Sequence, residues 1–128
     1  MNDHQQISAA LSRGGIIDIT TTGRTSGQPR RIEIVFFNVD GRVYISGTPG
    51  TRAWVANLAA DPRLTFHIKK GLQADLAATA RIIADEAERR PVIEHVCASW
   101  NRQDQVAAFM AGAPLIEVTF EDDTLLSA

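Results

Sequence analysis

The segment RRIEIVFFNV, residues 30–39, constrains the fold more than any other part of the chain. Side chains alternate across a strand, so Ile32, Ile34 and Phe36 fall on one face and Val35, Phe37 and Val39 on the other. A strand that is apolar on both faces must be covered on both. The chain therefore has to close a sheet around one side of this segment and lay further structure over the other.

The flanking segments supply that sheet. IIDITTT, residues 16–22, sets Ile17, Ile19 and Thr21 against Asp18, Thr20 and Thr22, with β-branched residues throughout. Asp40–Gly41 is a two-residue hairpin signal leading into RVYIS, residues 42–46. RLTFHIKK, residues 63–70, alternates Leu64, Phe66 and Ile68 with Thr65, His67 and Lys69. The alanines of LQADLAATARIIA, residues 72–84, favour a helix, but Leu76, Ala78, Ala80 and Ile82 keep period two, and a strand is predicted. PLIEVTF, residues 114–120, closes the set with Ile116, Val118 and Phe120 in phase.

Helical segments interrupt the strands. Residues 4–13 carry Ile7 and Leu11 at i, i+4 spacing and stop at Gly14 and Gly15. RAWVANLAADP holds Trp54, Val55 and Leu58, with Thr51 as the expected cap and Pro62 as the stop. From residue 85, Asp85 and Glu88 have capping-box spacing, and Pro91 is expected to open a second segment at its first position. Val92, Ile93, Val96, Cys97 and Trp100 form an apolar stripe, and a further short helix falls within 101–112. The pattern predicts one mainly β domain over 1–128: six antiparallel strands in a small closed or split barrel, with a helical segment in 1–14 and another in 85–112.

Bulk composition narrows function by exclusion. A net charge of −2 argues against a nucleic-acid-binding domain, and no run approaches the roughly 20 apolar residues of a membrane span. One cysteine, Cys97, cannot form an internal disulfide, and the first residues lack a signal-peptide apolar run; a cytoplasmic protein is the expectation. No G-x-S-x-G elbow or P-loop is present, and His4, His67 and His95 have no metal-ligand spacing, so no metal and no protein nucleophile is expected.

The turn TTTGRTSGQPRR, residues 20–31, is the exception. Arg30 and Arg31 point to opposite faces of their strand, so one of them can share a side with Arg24. Guanidinium forks pair with phosphates and carboxylates, Thr25 and Ser26 add hydroxyls, and Gly27 lets a backbone come close. On its own the turn reads first as a solvated hairpin with charged tips. The loop SGTPGT, including Thr48, leads into the helix of Trp54 and Asn57, and a helix start is a second anion-friendly element.

TTTGRTSGQPRR, followed by Gly50, Trp54, Asn57, Leu58, Asp61, Pro62 and Arg63, resembles the deazaflavin-dependent nitroreductase and quinone reductase family over about residues 16–120. The resemblance implies an FMN-binding-type split β-barrel that takes reduced coenzyme F420 and passes a hydride to an electron-poor acceptor. It implies cofactor contacts from Arg24, Thr25, Ser26, Gly27 and Arg30, with Thr48, Trp54 and Asn57 along the groove and Ile34 and Val35 along the ring. Trp100, Arg102 and Gln105 stand where the nitroreductases carry acceptor-side tyrosines, so a quinone- or enone-like acceptor is expected ahead of a nitro compound. Barrels of this type often pair as homodimers, an assembly open to this chain. FMN in place of F420, and a non-catalytic binder of a fatty acid or other hydrophobic ligand, are the rival readings.

Overall fold

The structure is a computed structural model that describes residues 3–126. Six strands close into an antiparallel barrel in the order β1-β2-β3-β6-β5-β4. They are β1 (Gly15–Thr22), β2 (Pro29–Val39), β3 (Arg42–Ser46), β4 (Arg63–Ile68), β5 (Ala74–Ile82) and β6 (Leu115–Phe120). Four helices accompany them: α1 (Asp3–Arg13), α2 (Ala53–Ala60), α3 (Glu86–Ser99) and α4 (Val106–Gly112), the last preceded by a single 3₁₀ turn at Gln103–Gln105.

Strand β2 is covered twice, as its composition requires. Ile32, Ile34 and Phe36 face the barrel interior with Ile17, Ile19, Ile45, Phe66, Ile116 and Val118. Phe66 meets both Phe36 and Phe120 edge-on, with ring centroids 5.2 and 5.1 Å apart. Leu11 of α1 and Trp54 and Leu58 of α2 enter the same cluster. Val35, Phe37 and Val39 face outward into a second cluster with Tyr44, Ile93, Val96, Cys97 and Phe109, so α3 and α4 cover that side. Burial pushes the Cys97 thiol above its ordinary value, leaving it a packing residue.

Two local expectations are corrected. Thr51 does not cap α2: Arg52 holds the N-cap position and makes no side-chain cap bond. Pro91 does not open a new segment, because α3 runs through it from Glu86 to Ser99. The ring forfeits one hydrogen bond early in the helix, and burial of Val92, Ile93, Val96 and Cys97 on both sides of the next turn outweighs that loss. Asp85 does cap α3, accepting from the Glu88 N–H at 3.0 Å. The Glu88 carboxylate takes Arg81 instead of closing the box. Ile82 departs from the inward row of Leu76, Ala78 and Ala80: it is 41% exposed, and Ile83 is buried in its place.

The outer face of β1, β2 and β4 carries ion pairs. Asp18 accepts from Lys69 at 2.7 Å and Arg31 at 2.9 Å, which hold its carboxyl below the usual range. Arg63 holds Asp61 down to about 2, and a hydrogen bond from His67 lowers Asp75. Carboxylates depressed in the fold bind fewer protons than in the unfolded chain, so their stabilisation is present above the ordinary value of 3.8 and is lost as pH falls toward 2. The thermal midpoint should therefore be flat above about pH 5 and fall between about pH 4 and 2. A midpoint that holds constant down to pH 2 would contradict this.

Candidate functional site

The 23–28 turn between β1 and β2 is tightly closed. Gly23 N–H donates to Gln28 O and Gly27 N–H to Gly23 O, both at 2.8 Å. Gln28 N–H donates to the Ser26 hydroxyl at 3.1 Å. Gly27 has φ +72°, which favours glycine, and a Cβ on Gly23 would come within 2.6 Å of Ser26 Oγ and displace that hydroxyl from the turn.

Asn57 fastens this turn to α2. Its side chain is buried, and its Oδ1 accepts from the Arg24 backbone N–H at 3.1 Å and from Arg24 Nη1 at 2.9 Å. Its Nδ2 donates to Thr21 Oγ1 at 3.2 Å. Arg24 is thereby held against the start of α2, where Nη1 also reaches Ala53 O at 3.4 Å.

The result is a cleft of about 510 Å³ between the turn and α2. Arg24, Thr25, Ser26, Arg30, Trp54 and Asn57 line it. Sequence reasoning missed Thr21, Gly23, Ile32 and Ala53, which complete it. Thr21 had left a signal, being the polar residue in phase with inward Ile17 and Ile19. Arg30 stands opposite Thr21 in the β1–β2 register and turns to the cleft, while Arg31 turns outward to Asp18. Among the described residues, neither Arg24 nor Arg30 meets a carboxylate, whereas Arg31, Arg63, Lys69 and Arg81 all do. Two guanidinium groups without counter-ions beside two hydroxyls have the chemistry to engage an anion.

Other expected site residues lie elsewhere. Gly27 shapes the turn without lining the cleft. Ile34 and Val35 occupy opposite faces of β2, one in each core cluster, so they cannot flank one ring from the same side. Thr48 accepts from Arg52 Nη2 through its carbonyl at 2.8 Å and its hydroxyl at 3.2 Å, and the SGTPGT loop runs toward α4, where Gly50 N–H donates to Gly112 O. Trp100 packs edge-on against Phe37 and Phe109, and Arg102 reaches Gln105 at 3.4 Å; none of the three lines the cleft.

The Asn57 tie has a measurable consequence. Asn57→Ala leaves the Arg24 N–H and Thr21 hydroxyl without their buried partner, which should cost about 2 kcal/mol and lower Tm by roughly 10 °C. Thermal unfolding followed by circular dichroism checks this, and a shift below about 2 °C would contradict it.

A closed antiparallel barrel with helices on its flank and an arginine-lined cleft at one end places the molecule among the split-barrel proteins. A FAD-binding protein from Mesorhizobium loti is similar at TM-score 0.68 and 14% identity, over 95% of this chain and 91% of that one. A conserved hypothetical protein from Mycobacterium tuberculosis matches at TM-score 0.72 and 17% identity, over 94% and 81%. A NimC/NimA family protein from Clostridium acetobutylicum matches at TM-score 0.63 and 17% identity, over 93% and 84%. At these identities the likeness shows the fold. The model of the F420H(2)-dependent quinone reductase family matches residues 2–111, and the chain belongs to that family. It is accordingly an oxidoreductase of the deazaflavin-dependent class.

Proposed function

We propose that the chain binds reduced coenzyme F420 with the anionic part of the coenzyme in the cleft, and reduces a quinone- or enone-like acceptor. The observation that carries this reading is the pair of arginines, Arg24 and Arg30, that face one cleft without a carboxylate partner. When bound, the coenzyme supplies the hydride; the protein supplies position and surroundings.

Each cleft residue then has a role. Arg24 and Arg30 hold the phosphate through charge-assisted hydrogen bonds, and the hydroxyls of Thr25 and Ser26 add neutral ones. Asn57 fixes Arg24 before the ligand arrives, which reduces the ordering cost of binding. Trp54 and Ile32 give the cleft an apolar wall that keeps water from the bound coenzyme. The family membership supports F420 ahead of FMN.

The test is hydride transfer in a series of acceptors at fixed reduced F420, followed by the absorbance of the oxidised coenzyme. Turnover with a benzoquinone or cyclohexenone, exceeding that with a nitroaromatic, is expected. Turnover confined to nitro compounds would overturn the acceptor assignment.

A further inference from the structure

A second cavity, of about 540 Å³, lies on the opposite side of α2 from the cleft. The cleft uses Ala53, Trp54 and Asn57 of that helix, and the cavity uses Val55, Ala56 and Ala59. Its other walls are Ile82 at the end of β5 with Ile83 just after it, the end of α4 from Met110 to Gly112 with Ala113 just after it, and Leu115. Ile82, one of only two large hydrophobic side chains described as exposed, stands on its rim. The volume lies within the range that takes a small organic ligand.

The charge on this apolar cavity is one-sided. Arg52 and Arg89 both line it, and no Asp or Glu does. Arg89 is only 9% exposed, and its guanidinium donates to the carbonyls of Ile83, Phe109, Met110 and Ala113, at 2.9–3.1 Å. Carbonyls satisfy its hydrogen bonds but do not neutralise it. Burial alone shifts its pKa, downward, with no carboxylate contributing. Arg52 likewise has no carboxylate partner among the described residues and bonds only to the backbone and hydroxyl of its own loop. A guanidinium has five N–H donors, so the ones Arg52 does not spend on Thr48 and Thr51 are left for a ligand.

We infer that this cavity is a binding site for an aliphatic carboxylate, with the hydrocarbon chain against Val55, Ala56, Ala59, Ile82 and Met110 and the carboxylate at Arg52, where the buried charge of Arg89 adds to the attraction. An apolar chain alone would leave both cations uncompensated, and a small inorganic anion would leave the apolar walls wet. The inference stands independently of the F420 reading, because it shares no ligand-contacting residue with the cleft.

The probe is decanoate, titrated into the ¹⁵N-labelled full chain and followed by amide shifts. Saturable shifts at Ala56, Ala59, Ile82 and Gly112, with Thr25 and Ser26 unmoved, are expected. Decanol should bind at least about tenfold more weakly than decanoate, and Arg52→Gln should cost decanoate about tenfold. Ala59 is exposed, so Ala59→Trp should fold with an unchanged melting curve while filling the cavity and abolishing the shifts. Equal binding of decanol and decanoate would overturn the inference. So would shifts confined to the cleft amides, undiminished binding in Ala59→Trp, or no saturation at millimolar decanoate.

Discussion

Replacing Arg24 and Arg30 together with alanine is expected to weaken F420 binding at least about a hundredfold, since each charge-assisted hydrogen bond contributes about 1.5–3 kcal/mol. Arg31→Ala is the matched control. It removes one guanidinium, from the position next to Arg30 in β2, but Arg31 faces outward and is paired with Asp18 at 2.9 Å. Its loss should leave the affinity within about twofold, because exposed ion pairs contribute little. Dissociation constants of the three proteins, measured at one ionic strength, decide the matter. Equal weakening by Arg31→Ala would mean that general surface charge, and not the cleft, attracts the coenzyme.

The largest stability effect is expected at Arg89. Its guanidinium ties the end of α3's first turn to Ile83 just after β5 and to three carbonyls around the C-terminal end of α4. Phe109 O also accepts the Ala113 N–H at 2.9 Å, while the later carbonyls of α4 have no partner inside the helix. Arg89→Met keeps the apolar stem but takes the side-chain donor from the carbonyls of Ile83, Met110 and Ala113, while Phe109 O keeps the Ala113 N–H, which should cost about 3 kcal/mol. Against a total stability of about 5–15 kcal/mol, that removes a large part of the margin. Arg89→Lys should recover only part of it, because an ammonium cannot fork to acceptors on two elements. Urea unfolding checks both variants, and a loss below about 1 kcal/mol in Arg89→Met would contradict the assignment.

Why was the barrel legible and the cleft only half so? Period-two rows recorded the barrel directly. Ile32, Ile34 and Phe36 against Val35, Phe37 and Val39 announced two layers, and both clusters are present. Row membership is a local property of the chain. The cleft depends on partners 33 and 36 residues apart, Asn57 with Arg24 and with Thr21, and such distance leaves no periodic mark. Thr51 looked like a cap because capping preference is local, but its loop turns toward α4 and Gly112 instead. Arg89 and Arg90 are indistinguishable by type. Only helical phase separates them: Arg89 shares the face of Val92, Ile93 and Val96, while Arg90 pairs with Glu86 in solvent. Reading charged residues for phase, as one reads leucines, would have found Arg89. Ile82 kept the period of β5 but sits at its last residue, where the barrel wall ends and a cavity rim begins.

The central claim is that the coenzyme occupies the cleft beside Trp54. The chain has two tryptophans, and Trp100→Phe, which keeps an aromatic ring against Phe37 and Phe109, leaves Trp54 as the only one. Titrating that variant with F420 should quench Trp54 fluorescence saturably at micromolar coenzyme, more tightly than FMN, and the quenching should disappear when Arg24 and Arg30 are also alanine. No quenching at high micromolar F420, or quenching that survives the loss of both arginines, would contradict the account.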